Sequence, residues 1–367
     1  MIKHTDHFHG SDLEMIEKVY KIKKEEIISF SANVNPLGIS PKLKTSLASQ
    51  IDSIMSYPDR EYTKLRSKIA DYVRTDIENI IVGNGSTELI SLFIQIKRPK
   101  KALIIGPTYS EYEREVSLGG GATRYYRLEE EQNFELNLNQ LEEELTSDVD
   151  LLVICNPNNP TSSAITRKEM RKILDICKQK GIFVMVDETY VEFTKDVHNI
   201  TSAPLTGYYN NIIILRGISK FFAAPGLRLG YAICGNVDLL KEINQRKNPW
   251  TINSLAAIAG EIMFSDYDYI ENTRNLIAAE RARICNLLSG CANIKYYEPT
   301  ANFILIKILK EGVTSMDLFE AAIRKGLMIR DCSTFPFLDN KFIRFCFMSS
   351  TANDALLEVI MDQCKDS

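Results

Sequence analysis

Short runs of apolar residues alternate with amphipathic stretches through the middle of the chain. The runs lie at 79–83, 102–106, 150–155, 182–188, 211–216 and 230–234. Because nearly every position in them is apolar, they predict strands that are buried on both faces of a sheet. The stretches at 86–96 and 166–181 have helical periodicity, and the second ends in basic residues and a glycine. This alternation predicts an α/β fold whose largely parallel sheet is covered by helices on both faces.

The pattern changes after about residue 250. A long helical region at 252–290 precedes several short strand-like runs, with one helix predicted at 315–325 and another at the end. This pattern predicts a smaller α+β domain at the C-terminal end. At the other end of the chain, the first 30 or so residues include one short predicted helix at 11–20. A chain of 367 residues exceeds what one hydrophobic core usually holds. We therefore predict an N-terminal arm at 1–35 that packs on the small domain, a large domain at 36–250 and a small domain at 251–367.

Composition and charge exclude several classes of function. The net charge is −4 with no block of lysine and arginine, so we expect neither a nucleic-acid nor a membrane partner. No signal-peptide pattern is present, and no apolar run approaches the roughly 20 residues that span a bilayer. The eight cysteines include no C-x-x-C pair, and the chain has only four histidines. These features predict a cytoplasmic protein with reduced cysteines and no metal site.

Polar residues follow several of the predicted strands. Ligands of open α/β sheets bind beyond the carboxyl ends of the strands, so these residues are candidates for a site. In "NIIVGNGSTELI", Ser86 and Thr87 fall at a helix start, where free N–H groups would face an anion, although an ordinary helix cap uses the same residues. "NPNNPT" places Asn159 after the strand at 150–155, but asparagine-proline pairs are also common in turns. "GGGATRYY" at 119–126 lacks the spacing of a dinucleotide-binding loop and predicts a flexible turn.

Charged residues in apolar surroundings give a sharper indication. Asp187 follows five apolar residues, and a carboxylate there needs a cation, supplied either by the protein or by a ligand. In "RGISKFFAAPGLRLGY", Lys220 and Arg228 stand among apolar residues; each alone could be an ordinary lysine or arginine whose stem is buried. In chain order, these residues are the parts that hold pyridoxal 5'-phosphate (PLP). Lys220 would form the Schiff base, because apolar surroundings lower the pKa of an ammonium group, and Asp187 would pair with the pyridine nitrogen.

The remaining groups of PLP also have candidate partners in the sequence. Asn159 and Tyr190 would form hydrogen bonds with the ring oxygen, and Tyr109 could stack on the ring. The phosphate would be held by Ser86, Thr87, Ser219 and Arg228, with the arginine providing charge-assisted hydrogen bonds.

The motifs "NPNNPT", "DETY", "SK" and "GLRLGY" together resemble the fold type I PLP-dependent enzymes of the aminotransferase class I/II group. The resemblance covers nearly the whole chain and implies a large domain with a mostly parallel seven-stranded sheet and a smaller α+β C-terminal domain. It also implies a homodimer with shared active sites, in which Tyr57 reaches the phosphate of the partner subunit's cofactor. One departure is Ser162, where the family usually has glycine; we expect this change to tighten the loop slightly.

Two arginines late in the chain, Arg330 and Arg344, suggest a substrate with two anionic groups, unless one of them forms a structural ion pair. The segments "HG", "SANVNPLG", "PGLRLGY" and "NPWTINSLAAIAGE" are similar to those of L-threonine-O-3-phosphate decarboxylases of cobalamin biosynthesis. That similarity implies contacts of a small phosphorylated amino acid with the following residues: His9, Gly10, Asn33, Asn159, Arg330 and Arg344.

Three functions are therefore compared. The first is PLP-dependent decarboxylation of O-phospho-L-threonine or O-phospho-L-serine to the amino-alcohol phosphate and CO₂. The second is an aminotransferase acting on histidinol phosphate or another amino acid, because Tyr190 is shared with the aminotransferases. The third is a binding or regulatory protein that retains the fold without turnover; the presence of Lys220, Asp187 and Arg228 together argues against it.

Overall fold

A computed structural model describes residues 12–365. The helices are α1 (Leu13–Tyr20), α2 (Pro41–Ser49), α3 (Thr63–Val73), α4 (Gly85–Lys97), α5 (Glu111–Leu118), α6 (Leu138–Glu144), α7 (Arg167–Gln179), α8 (Val197–Ile200), α9 (Val237–Arg246), α10 (Ser254–Met263), α11 (Tyr267–Leu288), α12 (Ser315–Ile323) and α13 (Ser350–Cys364). The strands are β1 (Ile28–Ser29), β2 (Ile80–Gly83), β3 (Lys101–Gly106), β4 (Ala122–Arg127), β5 (Leu151–Cys155), β6 (Phe183–Asp187), β7 (Ile212–Gly217), β8 (Gly230–Ile233), β9 (Ile294–Tyr296), β10 (Phe303–Ile308), β11 (Leu327–Met328), β12 (Arg330–Asp331) and β13 (Phe342–Cys346).

The largest sheet has seven strands in the order β2-β8-β7-β6-β5-β3-β4. Strand β8 is antiparallel to both of its neighbours, and the other pairs are parallel. The predicted largely parallel sheet is therefore confirmed. Because the parallel strands point the same way, Gly106, Cys155, Asp187 and Gly217 end them at one edge of the sheet.

The strands of this sheet bury side chains on both faces, as their continuous apolar runs predict. In β5, Leu152 and Ile154 join the core cluster on one face, whereas Leu151 and Val153 join the cluster on the other. This division follows from the alternation of side chains along a strand. Helix α7 covers one face and begins at a capping box, in which Thr166 and Glu169 each bond the other's backbone.

The segment 119–126 differs from its prediction. It is a turn only as far as Gly121, after which Ala122–Arg127 forms β4, the edge strand beside β3. An edge strand needs only one apolar face. Because positions such as Ala122 and Arg127 are exposed, β4 lacks the continuous apolar run that predicts a strand buried on both faces. Gly121 is required here, because a Cβ atom on it would lie 2.2 Å from the carbonyl oxygen of Pro99.

A second, antiparallel sheet in the order β12-β13-β10-β9 contains the C-terminal strands. The predicted run at 327–330 is divided between two sheets: β11 pairs with β1 near the N-terminus, and β12 pairs with β13. The predicted helical region at 252–290 is two helices, α10 and α11. The division into arm, large domain and small domain remains a prediction.

Within residues 12–365, no helix is both long and apolar enough to cross a membrane. The same residues contain no group of three or more His, Cys, Asp or Glu side chains that could hold a metal ion. The eight cysteines all fall in this part and are unpaired.

Candidate active site

A cavity of about 380 Å³ opens at the carboxyl ends of the parallel strands. It is lined by twelve of the predicted site residues: Asn33, Ser86, Thr87, Tyr109, Asn159, Asp187, Tyr190, Ser219, Lys220, Arg228, Arg330 and Arg344. Tyr57 is not among the lining residues, and its side chain is 82% exposed, with its ring 5.1 Å from that of Trp250. His9 and Gly10 lie outside the described residues. Sequence positions far apart are thus brought to one site.

Lys220 follows β7 and extends into the cavity. Its Nζ atom donates a hydrogen bond to the carbonyl oxygen of Ala32 at 2.6 Å. Burial, together with the positive charges of Arg344 and Arg228, lowers the pKa of the Lys220 ammonium group to about 8. A substantial fraction of this side chain is therefore a neutral, nucleophilic amine near physiological pH.

Asp187, the last residue of β6, is a buried carboxylate held by neutral donors. It accepts hydrogen bonds from the backbone and hydroxyl of Thr189 and, at 2.7 Å, from the hydroxyl of Tyr112. Burial raises the pKa of the Asp187 carboxyl, whereas these hydrogen bonds act to lower it. Within residues 12–365 no lysine or arginine forms an ion pair with Asp187, whereas the adjacent Glu188 pairs with Arg216 at 2.8 Å. The acid is therefore available to a cationic ligand.

The N-terminus of α4 and Arg228 form a positively charged corner of the cavity. Gly85 has a φ of 79°, and a Cβ atom on it would lie 2.4 Å from Nη2 of Arg228. A Cβ on Gly230 would lie 2.4 Å from the backbone nitrogen of Ser86. The two glycines thus let the arginine and β8 approach the helix start, where N–H groups and the helix dipole favour a phosphate.

On the opposite side of the cavity, Arg344 is a buried guanidinium with no carboxylate partner in the described chain. It is 4% exposed and donates to Oδ1 of Asn159 and to the carbonyl oxygen of Ser31, and its Nε atom has no hydrogen-bond partner among residues 12–365. Arg330 lies directly across the antiparallel β12–β13 pair and donates to the hydroxyl of Thr334 at 2.9 Å. Two like charges facing each other across strands are unfavourable. An anion bound near them would offset this repulsion.

Asn33 and Tyr190 complete the wall beside Arg344. Asn33 has a φ of 56°, and its side-chain amide donates to the hydroxyl of Tyr190 at 3.3 Å. The ring of Tyr190 packs edge-on against Phe303, with 4.9 Å between centroids. The guanidinium carbon of Arg344 lies 5.3 Å from the centroid of the same Phe303 ring. These contacts fix the two side chains relative to each other.

Whether the site fits PLP can be judged from several buried cavity-lining atoms that have no hydrogen-bond partner in the described part of the chain. They are Ser31 Oγ, Asn33 Oδ1, Thr108 Oγ1 and Arg344 Nε. Such groups are rare in folded proteins unless a ligand or water satisfies them. The site offers a cationic corner for a phosphate, a buried acid for a ring nitrogen and an amine for an aldehyde. The residues present therefore fit PLP.

The sequence patterns missed Tyr112, Ser31 and Thr108. Tyr112 lies in the first turn of α5, and its contact with Asp187 depends on how that helix packs against β6. Tyr112 follows Tyr109 shortly after the strand at 101–106, and this position was the sequence feature that could have identified it as a site residue. Ser31 and Thr108 carry no distinguishing pattern, because small hydroxyl residues are frequent in loops.

Comparison with known proteins gives matches along nearly the whole chain. The family model described as "Aminotransferase class I and II" matches residues 25–360. A protein of Caldanaerobacter subterraneus subsp. tengcongensis, provisionally named a threonine-phosphate decarboxylase, is 39% identical over 90% of this chain and 88% of its own length. The threonine-phosphate decarboxylase of Salmonella typhimurium is 31% identical over 96% of this chain and 95% of its own length.

A solved structure extends the comparison to the fold. The histidinol-phosphate aminotransferase from Clostridium acetobutylicum has a TM-score of 0.85 at 31% sequence identity, covering 91% of this chain and 98% of that one. The predicted fold type I architecture and the predicted cofactor are confirmed by these matches. The chain belongs to the aminotransferase class I and II family, and its cofactor is pyridoxal 5'-phosphate.

Proposed function

We propose that this chain decarboxylates O-phospho-L-threonine or O-phospho-L-serine to the corresponding amino-alcohol phosphate and CO₂. The observation that carries the proposal is Arg344, a buried guanidinium that faces the cavity without a carboxylate partner in residues 12–365. Burying an unpaired charge is costly, so the residue indicates an anionic ligand. The 31–39% identity to threonine-phosphate decarboxylases supports the same substrate class.

The charge of the cavity also supports a doubly anionic substrate. Among the residues that the structure describes, four cations, Lys220, Arg228, Arg330 and Arg344, line it, against one carboxylate, Asp187. We assign Asp187 to the ring nitrogen of PLP and Arg228 to its phosphate. Arg344, and Arg330 opposite it on β12, would bind the carboxylate and phosphate of the substrate.

The roles of the protein side chains follow from this arrangement. When bound, PLP supplies an electron sink for the charge left on Cα when a bond to that carbon breaks. Asp187, held by Tyr112 and Thr189, would keep the ring nitrogen protonated, and Ser86, Thr87, Ser219 and Arg228 would bind the phosphate. The two arginines would fix both ends of the substrate and so determine which bond of Cα stands over the ring. The Lys220 amine, with its pKa near 8, can hold or release a proton beside that carbon.

An aminotransferase is the second candidate. It is favoured by the histidinol-phosphate aminotransferase whose structure matches at a TM-score of 0.85. The same two arginines would also suit glutamate, the usual amino donor, which carries two carboxylates. Tyr190 is compatible with either reaction.

Two product assays on the purified, PLP-loaded protein distinguish these reactions. With O-phospho-L-threonine or O-phospho-L-serine, the proposal predicts CO₂ and the amino-alcohol phosphate in equal amounts. With glutamate and the 2-oxo form of histidinol phosphate, it predicts no 2-oxoglutarate. No CO₂ in the first assay together with 2-oxoglutarate in the second would establish the aminotransferase. Product in neither assay, with PLP bound, would indicate a binding or regulatory protein.

We also propose that the chain is a homodimer with shared active sites. Tyr57 projects from the surface next to Ile54, Met55 and Trp250, which are 62%, 80% and 43% exposed. Clusters of exposed apolar side chains of this kind commonly mark protein–protein interfaces. A partner subunit covering this cluster would place Tyr57 against a second cavity, as the family resemblance implies.

A further inference from the structure

Ser162 adopts a backbone conformation that is unfavourable for a residue with a side chain. It lies in the loop between β5 and α7, has a φ of 60° and is completely buried. The left-handed region suits glycine, because a Cβ atom there crowds the backbone. Some interaction of the Ser162 side chain is therefore expected to offset this strain.

That interaction connects the loop to another part of the chain. The Oγ atom of Ser162 accepts hydrogen bonds from the backbone nitrogens of Thr300 and Ala301, at 3.1 and 2.9 Å. The carbonyl oxygen of Ser162 also accepts from the Thr300 nitrogen, at 3.0 Å. Loss of the hydroxyl would leave the Ala301 N–H without this acceptor, and a buried unpaired donor is costly.

The segment that Ser162 holds leads directly to the substrate side of the cavity. Arg281 donates to the carbonyl oxygens of Thr300 and Ala301, and the side chain of Asn302 donates to the carbonyl oxygen of Asn33 at 3.0 Å. The next residue, Phe303, contacts both the Tyr190 ring and the Arg344 guanidinium. The position of this segment therefore affects the groups that we assign to the substrate.

The same loop also carries Asn159, whose side-chain oxygen accepts from Arg344. Ser162 thus joins the two elements between which Arg344 is held: the Asn159 loop on one side and Phe303 of β10 on the other. We propose that Ser162 is a positioning residue for the substrate, acting through Asn159 and Arg344. This inference rests on the proposed function, because it takes Arg344 as a substrate ligand.

Two substitutions separate the hydroxyl from the backbone strain. Ser162→Gly removes both, whereas Ser162→Ala removes only the hydroxyl. At saturating PLP, we expect both variants to raise KM and lower kcat together, with kcat/KM reduced about tenfold. Ser162→Gly should melt about 2 °C or more above Ser162→Ala, because glycine tolerates the left-handed backbone. Ser163→Ala is the matched control: its hydroxyl contacts Thr161 in the same loop, and wild-type kinetics are expected.

A binding measurement makes the test independent of turnover. In the Lys220→Ala background, titration with O-phospho-L-threonine should show about tenfold weaker binding when Ser162→Gly is added. Unchanged affinity and unchanged kcat/KM in both Ser162 variants, with altered melting temperatures, would show a purely structural role and overturn the inference. Failure of the proposed function looks different: the wild-type protein itself would release no CO₂.

Discussion

Lys220 lies among groups that disfavour its positive charge. Burial is the largest cause of its lowered pKa, and the charges of Arg344 and Arg228 act in the same direction. The sequence suggested this property, because the residue stands beside two phenylalanines after an apolar strand. It could not show that two arginines distant in sequence contribute as well.

The lowered pKa has a measurable effect on the stability of the cofactor-free protein. Between pH 8 and pH 10.5 the folded chain binds fewer protons at Lys220 than the unfolded chain does. Stability contributed by this residue therefore rises with pH across that window, by about 3 kcal/mol in total. Urea unfolding at several pH values should show this rise in the wild type relative to Lys220→Met. Identical pH profiles for the two proteins would contradict the lowered pKa.

Replacing Arg344 should separate binding from stability. We expect Arg344→Met to lower kcat/KM for the phosphoamino acid about 100-fold, corresponding to about 3 kcal/mol. The melting temperature of the substrate-free protein should not fall, because methionine removes a buried charge that lacks a carboxylate partner. Steady-state kinetics and thermal unfolding measure both effects. Wild-type kinetics would mean that the substrate anions are held elsewhere.

Asp187 could be identified as a site residue from the sequence, whereas its hydrogen-bond partner Tyr112 was harder to identify. A carboxylate after an apolar run is conspicuous in the sequence, so Asp187 could be selected. The sequence left open whether it pairs with a protein cation, and the described structure gives it only neutral donors. Tyr112 supplies one of those donors, but a tyrosine on an amphipathic helix is indistinguishable from a core residue before the helix is placed.

Among the secondary-structure elements, the junction of β2 and α4 depends on Gly85. Alanine there would bring a Cβ atom to 2.4 Å from Arg228 Nη2, in a backbone with φ of 79°. We expect Gly85→Ala to weaken PLP binding at least tenfold, because Arg228 must move away from the positively charged corner that we assign to the phosphate. Fluorescence titration of the cofactor-free protein with PLP measures this Kd.

Gly120→Ala is the matched control for this prediction. Gly120 has a nearly equal φ of 81°, but a Cβ atom on it would meet nothing within 4 Å. It therefore reproduces the backbone strain without the contact, and its PLP affinity should match that of the wild type. Equal affinities of the Gly85 and Gly120 variants for PLP would exclude the steric explanation.

The buried strands were more predictable than the edge strand. Strands β5, β6 and β7 are buried at every position, so their apolar runs were visible in the sequence. Strand β4 is exposed at both ends and has a single buried residue, Tyr126, and three glycines precede it, so it resembled a turn. Local pattern predicts elements that are covered on both faces, whereas an edge strand is defined mainly by its neighbour.

At the scale of the whole molecule, a test of Tyr57 distinguishes an active site shared between two subunits from one formed within a single chain. If Tyr57 acts in the partner's cavity, dimers that combine a Tyr57→Ala chain with a Lys220→Ala chain have one fully intact site. Random mixing should then restore about one quarter of wild-type activity. The activities of the co-refolded mixture and of each variant alone, at limiting PLP, provide the measurement. No recovery in a mixture shown to contain mixed dimers would contradict the shared site.

The choice between decarboxylation and transamination depends on how the complete molecule orients its substrate. The motifs identify the family and the cofactor, because each residue that we assign to PLP follows a recognisable strand or turn. They do not determine which bond of Cα breaks, since in the proposed function that outcome depends on the relative positions of Arg330, Arg344 and Lys220. These side chains come from β12, β13 and the loop after β7.

The most direct test follows the carboxyl carbon of the substrate. PLP-loaded protein is incubated with O-phospho-L-threonine and, separately, O-phospho-L-serine, each labelled with ¹³C at the carboxylate, and the products are observed by NMR. The proposed decarboxylation predicts that the label appears as CO₂ and bicarbonate for at least one of the two substrates, in proportion to the amino-alcohol phosphate formed. Label that stays on the carboxylate of a 2-oxo acid, or on unreacted substrate in both cases, would contradict it.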